Sequence, residues 1–146
     1  MAVLKSGTTI DGSMSYHKGN HTHEIHLTMN TLLYNTDLTS YVEVPGSEIL
    51  WSPANFKIYS SINPVGFRVY FEVDLMTSAG IVYAELYNKT DAQSVVTLST
   101  TSTSWYNLTT QVTSSMPTAE KTLTVRIKAS SSSYIGSIRS AKIILI

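Results

Sequence analysis

Between residues 66 and 146, apolar and polar side chains alternate in runs that suit a pleated strand and no helix. Phe67, Val69, Phe71, Val73 and Leu75 interleave with Arg68, Tyr70, Glu72 and Asp74. Successive side chains of a strand point to opposite faces, so this run has one apolar wall and one wet wall. The same period returns over residues 81–87 and 123–128, and more weakly from 134 to 146. Turn-rich segments at 77–80, 88–91 and 130–133 separate these runs.

Upstream, Ile25, Leu27 and Met29 share one side of a strand over 23–34, and Val42 and Val44 lead into Pro45-Gly46. Shorter runs at 48–51, 56–59, 94–99 and 105–112 bring the expectation to about eight to ten strands. The fold class is therefore all-β: a jelly-roll-type β-sandwich or barrel with an extended N-terminal arm. An immunoglobulin-like sandwich is the closest rival, but the chain has no cysteine to supply the Cys…Trp…Cys spacing.

The division falls near residue 40. Residues 1–39 form an N-terminal arm or peripheral strands, and 40–146 form the sandwich domain. The first twenty residues are polar and broken by Gly and Ser, too poor in apolar groups to build a core. Leu4, Ile10, Met14 and Tyr16 are the apolar groups such an arm has to bury on a neighbour, which makes them the first candidates for partner contact.

At 146 residues the chain suits one domain that buries roughly two-thirds of its unfolded surface. Charged residues are 14% of the chain, against a usual figure of about 25%. Formal net charge is +0, and the ten Lys and Arg are scattered, so no electrostatic footprint for nucleic acid is expected. No window approaches the roughly 20 apolar residues of a membrane-spanning helix. Residues 1–7 lack the apolar core of a signal peptide, so a product made without a standard export signal is expected.

Chemistry has few footholds. All four histidines lie between His17 and His26; His21 and His23 share a strand face, opposite Glu24 and His26. That pair is a candidate metal site, or a solvated, pH-sensitive cluster. No serine is singled out by a neighbouring base, and no phosphate-binding glycine loop occurs, so no catalytic residue and no cofactor are assigned. Glu72 and Asp74 share a face, and Glu85 is a candidate to lie across from them as in sandwich-fold glycosidases, with Arg68, Arg126 and Lys128 as alternative ion-pair partners. Tyr83 and Tyr87 share a face with Glu85 and are candidates for stacking a glycan.

From Arg68 onward the order of segments resembles a jelly-roll module common to carbohydrate-binding proteins and phage structural proteins. The resembling residues are Val69-Tyr70-Phe71-Glu72-Val73, Ala84-Glu85-Leu86-Tyr87-Asn88, Ser102-Thr103-Ser104-Trp105-Tyr106 and Leu123-Thr124-Val125-Arg126-Ile127. The closing run from Tyr134 to Ile143 completes the series. Carbohydrate-binding families usually hold a structural calcium with acidic residues before the last strand. Here that place reads Ile138-Arg139-Ser140-Ala141-Lys142, with two cations and no carboxylate.

The chain is more similar to the small capsid decoration, or cementing, proteins of tailed phages. That resemblance implies a non-enzymatic protein on the virion surface, made in the host cytoplasm. It also implies a homotrimer bound to the major capsid protein, with an arm reaching over its neighbours. A phage tail or receptor-binding tip and a free-standing carbohydrate-binding module are the alternatives.

Overall fold

An apolar wall along a strand has to be buried against another, and here two sheets supply the walls. The computed structural model describes residues 23–27, 33–52 and 68–146, and within them ten strands and no helix. The strands are β1 (His23–His26), β2 (Tyr34–Thr36), β3 (Val42–Glu43), β4 (Ile49–Trp51) and β5 (Val69–Thr77). They continue with β6 (Val82–Asn88), β7 (Gln93–Thr100), β8 (Tyr106–Gln111), β9 (Lys121–Ala129) and β10 (Gly136–Leu145).

Their pairing is nested. β6 and β7 form the innermost hairpin, and β5 pairs β8 around it. β3 and β4 then pair β9, and β1 and β2 pair β10. Rolling up this one long antiparallel hairpin brings β10 beside β5 and β9 beside β6. The first sheet runs β1-β10-β5-β8 with β2 also on β10, and the second runs β3-β9-β6-β7 with β4 also on β9. The chain is thus an all-β, jelly-roll-type sandwich, as its alternation predicts.

The core lies between the sheets. Phe71, Val73 and Leu75 of β5 and Ile143 and Leu145 of β10 join Val82, Ala84 and Leu86 of β6 and Leu123, Val125 and Ile127 of β9 in one fully buried cluster. Each large side chain withdrawn from water here stabilises the fold by about 1.5–3 kcal/mol. Gly136 opens β10 where a Cβ would stand 2.6 Å from Val82 Cγ2, so a side chain there would push the two sheets apart.

Ile25 and Leu27 are buried, as their alternation predicts, and the Leu27 N–H donates to the Ala141 carbonyl at 2.8 Å, so residues 23–27 belong to the first sheet, a pairing that local pattern does not show. β7 and β8 are consecutive yet lie in different sheets, and the turn between them crosses the end of the sandwich. Ser102 holds that crossing, accepting from the Thr77 N–H at 2.9 Å through its carbonyl.

Candidate functional site

Tyr83, Glu85 and Tyr87 alternate with the buried Val82, Ala84 and Leu86 and so project from the outer face of the second sheet. The register sets Lys128 beside Tyr83 and Arg126 beside Glu85. The Arg126 Nε donates to Glu85 Oε1 at 2.8 Å, and its Nη2 donates to the same oxygen. Its guanidinium carbon lies 3.6 Å from the centre of the Tyr87 ring and 5.0 Å from that of Tyr41. Lys128 Nζ sits 4.6 Å from Tyr41 and 5.0 Å from Tyr83.

Rings and cations therefore interleave over this face. The Glu85 side chain is only 7% exposed, although the outer face of a sandwich normally meets water. Burial pushes the Tyr41 phenol up, against a hydrogen bond with Thr97 that pulls it down. Each cation–ring contact contributes about 0.5–2 kcal/mol, and removing one partner of a buried ion pair costs more than the pair itself contributes. Sequence spacing placed Tyr83, Tyr87 and Glu85 together. Arg126 was among the ion-pair partners open to Glu85, and the structure bears that out; its place against the Tyr87 and Tyr41 rings could not be read, because it depends on a register between strands some forty residues apart.

Glu72 and Asp74 lie on the opposite outer face of the sandwich. This corrects the expectation that Glu85 lies across from them: β5 and β6 are in different sheets, and each turns its polar wall away from the other. The partners of Glu72 and Asp74 also differ from those expected. Lys142 Nζ lies 2.9 Å from Glu24 and 3.4 Å from Glu72, and His26 Nε2 lies 3.4 Å from Glu24. Thr109 Oγ1 donates to Glu72 at 3.1 Å, and Asn107 Nδ2 donates to Asp74 at 2.7 Å. Arg139 Nε lies 3.2 Å from Asp74, and its guanidinium stands 4.7 Å from the Trp105 ring.

This ladder runs across β1, β10, β5 and β8 and ties the first sheet together. The hydrogen bond from Lys142 holds the Glu24 carboxyl below its ordinary range, against its partial burial. Burial pulls the Lys142 ammonium down, but hydrogen bonds and charge from Glu24 and Glu72 outweigh it and leave its pKa raised.

Among the described residues two clefts stand out on the surface. One, of about 310 Å³, is lined by Asn88, Asp91, Gln93 and Lys121 among others. Its two charged groups pair with each other and with an amide: Lys121 Nζ lies 3.0 Å from Asp91, and Asn88 Nδ2 donates to Asp91 at 3.0 Å. The hydrogen bond from Lys121 lowers the Asp91 pKa. The other, of about 480 Å³, is shallow and lined by Ile81, Ser99, Thr100, Thr101, Ser102 and Tyr106. Among the described residues no three His, Asp or Glu are gathered as metal ligands. His23 opens β1 opposite Leu145. Leu4, Ile10, Met14, Tyr16 and His21 lie outside the described residues.

No protein-family model matches the sequence, and no curated protein matches it. Among solved structures the chain is similar to the CBM36-1 domain of a multidomain xylanase from the hindgut metagenome of Trinervitermes trinervoides. The two share 10% identity over 84% of this chain and 96% of that one, with a TM-score of 0.49. It is similar to carbohydrate-binding module CBM36 in complex with calcium and xylotriose, at 10% identity over 82% and 96% of the chains, with a TM-score of 0.46. It is also similar to VP2 of the infectious bursal disease virus subviral particle, at 12% identity over 86% of this chain and 32% of that one, with a TM-score of 0.46. These likenesses transfer no ligand and no residue role to this chain.

Proposed function

We propose that the chain is a non-enzymatic structural component of a virus particle, a decoration protein that stabilises a capsid by binding the major capsid protein. The observation that carries this reading is the distribution of ionisable groups. Glu85 on one outer face and Glu72 and Asp74 on the other are each engaged by cations or donors of neighbouring strands. Groups arranged in this way brace strands; they do not converge on a substrate. What the fold offers a partner is area, strand edges and the N-terminal segment with Leu4, Ile10, Met14 and Tyr16. Many weak copies on one shell then add by avidity.

The test is co-sedimentation with shells assembled from the major capsid protein of the same particle. The full chain binds and raises the temperature at which the shells open. Removing residues 1–20 abolishes binding while the β-sheet circular dichroism is retained. Truncated protein that still saturates the shells removes the N-terminal segment from the mechanism, and a full chain that fails to bind removes the capsid reading.

A glycan-binding role is the second reading, favoured by the common face of Tyr83, Tyr87 and Glu85. Glycan-array binding by the native chain that is lost on Tyr83→Ala or Tyr87→Ala supports it. An array without signal dismisses it.

A further inference from the structure

Sheet edges are sites of unwanted pairing, and proteins guard them with short strands, charges, prolines or bulges. Most edges here carry such a guard. β2, β3 and β4 are two or three residues long, β1 carries Glu24, and β3 carries Glu43. β7 has a register shift between its partners Leu86 and Tyr87 that leaves Val95 unpaired as a bulge. Among the described residues β8 carries none of these guards. It is six residues long, Tyr-Asn-Leu-Thr-Thr-Gln, and pairs β5 in unbroken register. No Asp, Glu, Lys or Arg occurs anywhere between Asp91 and Glu120.

The orientation of its main chain follows from one contact. The Val112 N–H donates to the Val69 carbonyl at 2.8 Å. By alternation Leu108 and Thr110 also turn their N–H and C=O groups toward β5, whereas Asn107, Thr109 and Gln111 turn theirs outward. Among the described residues nothing pairs with that outer row. The side chains of the row are held back over the sheet: Asn107 donates to Asp74, Thr109 to Glu72, and Gln111 to Thr113. Asn107, Thr109 and Gln111 are exposed, and among the described residues the backbone at this edge is accessible. Tyr106, at the start of the strand, is 52% exposed.

We propose that two copies of this chain pair through β8, edge to edge and antiparallel, about a two-fold axis at Thr109. The edge is complementary to itself. An axis perpendicular to the sheet keeps like faces together, so Thr109 meets Thr109 of the second copy and Asn107 meets its Gln111. Each such pair exchanges two backbone hydrogen bonds, and the side chains above them are Thr against Thr and amide against amide, with no charge to repel. The exposed Tyr106 comes opposite Val112 of the second copy. The two first sheets join into one continuous sheet. An isologous contact of this kind closes at two copies, unlike the head-to-tail contact of a threefold ring. It stands independently of which particle or ligand the protein serves.

The self-facing position supplies the test. Sedimentation velocity of the full chain gives a dimer. Thr109→Lys and Thr109→Glu each place like charges on the axis and weaken self-association at least about tenfold, while an equimolar mixture of the two regains the dimer. Thr109→Pro removes an outward N–H and leaves the β5 ladder intact, so a folded monomer is expected from it even if a charged variant folds poorly. A native chain that is a monomer or a trimer overturns the proposal. So do charged variants that remain dimeric, or a mixture of the two that stays monomeric.

Discussion

The two sides of the sandwich are built on opposite principles. On the side of β1, β2, β3 and β4, edges are short and ionisable groups are dense: Glu24, His26 and Lys142 on the first sheet, Glu43, Arg126 and Lys128 on the second. On the side of β7 and β8, edges are longer, and no formal charge occurs from residue 92 to 119. The core behind both is continuous, so the difference is not one of folding. It teaches that the guarded side is braced inward by paired charges, while on the plain side the described residues leave the outer main-chain groups of β8 without a strand partner.

The largest effect that sharpens this contrast concerns parity on β8. Leu108→Pro removes an N–H that points at β5, orphans the facing carbonyl and deletes a half-buried side chain. Thermal unfolding is expected to show a loss of about 3–4 kcal/mol. Thr109→Pro, one residue on, keeps the β5 ladder and loses the hydroxyl bond to Glu72, so at dilute, monomeric concentration its loss is about 1 kcal/mol. Equal losses at the two positions would break the assignment of inward and outward rows.

On the guarded side, Arg126→Met strands the buried Glu85 carboxylate and removes the cation between Tyr41 and Tyr87. Discounted for the partial exposure of Arg126, the expected cost is about 2–3 kcal/mol in chemical denaturation. Replacing both partners, Arg126→Met with Glu85→Leu, recovers most of it. A single variant as stable as the native chain would mean that the rings, not the ion pair, hold this face.

The smallest effect is one of pH. The Glu24 pKa is lowered in the folded chain, chiefly by the hydrogen bond from Lys142. Its stabilising contribution is therefore full above the ordinary glutamate value and is lost as pH falls through the lowered one. The pair is partly exposed, so the contribution is under about 1 kcal/mol. Lys142→Met should flatten this part of the acid-side slope, as read by melting temperature against pH. An unchanged slope would show that β1 does not depend on that bridge.

Much of the fold was legible because β5, β6 and β9 alternate without interruption. Their burial follows the predicted walls: Val69, Phe71, Val73 and Leu75 inside, Tyr70, Glu72 and Asp74 outside. Local pattern cannot say which sheet a strand joins. Of the two readings open for Glu85, the roll of the hairpin excludes a place across from Glu72 and Asp74 and sets it on the far face, paired with Arg126. The salt bridge between Lys142 and Glu24 was equally hidden: its partners are 118 residues apart and meet only through register. Arg126 was one of three cations open to Glu85, and register across 41 residues selects it. The open edge of β8 became visible only once the order of strands was known. Absence of charge is a sequence fact, but being at an edge is not.

The central claim is that this sandwich works by contact and that β8 is where it makes one. Residue-resolved hydrogen exchange of the full chain, at dilute and at concentrated protein, reads that claim directly. The Leu108, Thr110 and Val112 amides should exchange slowly at both concentrations, and the Asn107, Thr109 and Gln111 amides should slow only in the concentrated sample. Outer amides that exchange freely at every concentration, or are equally protected at all of them, would contradict it.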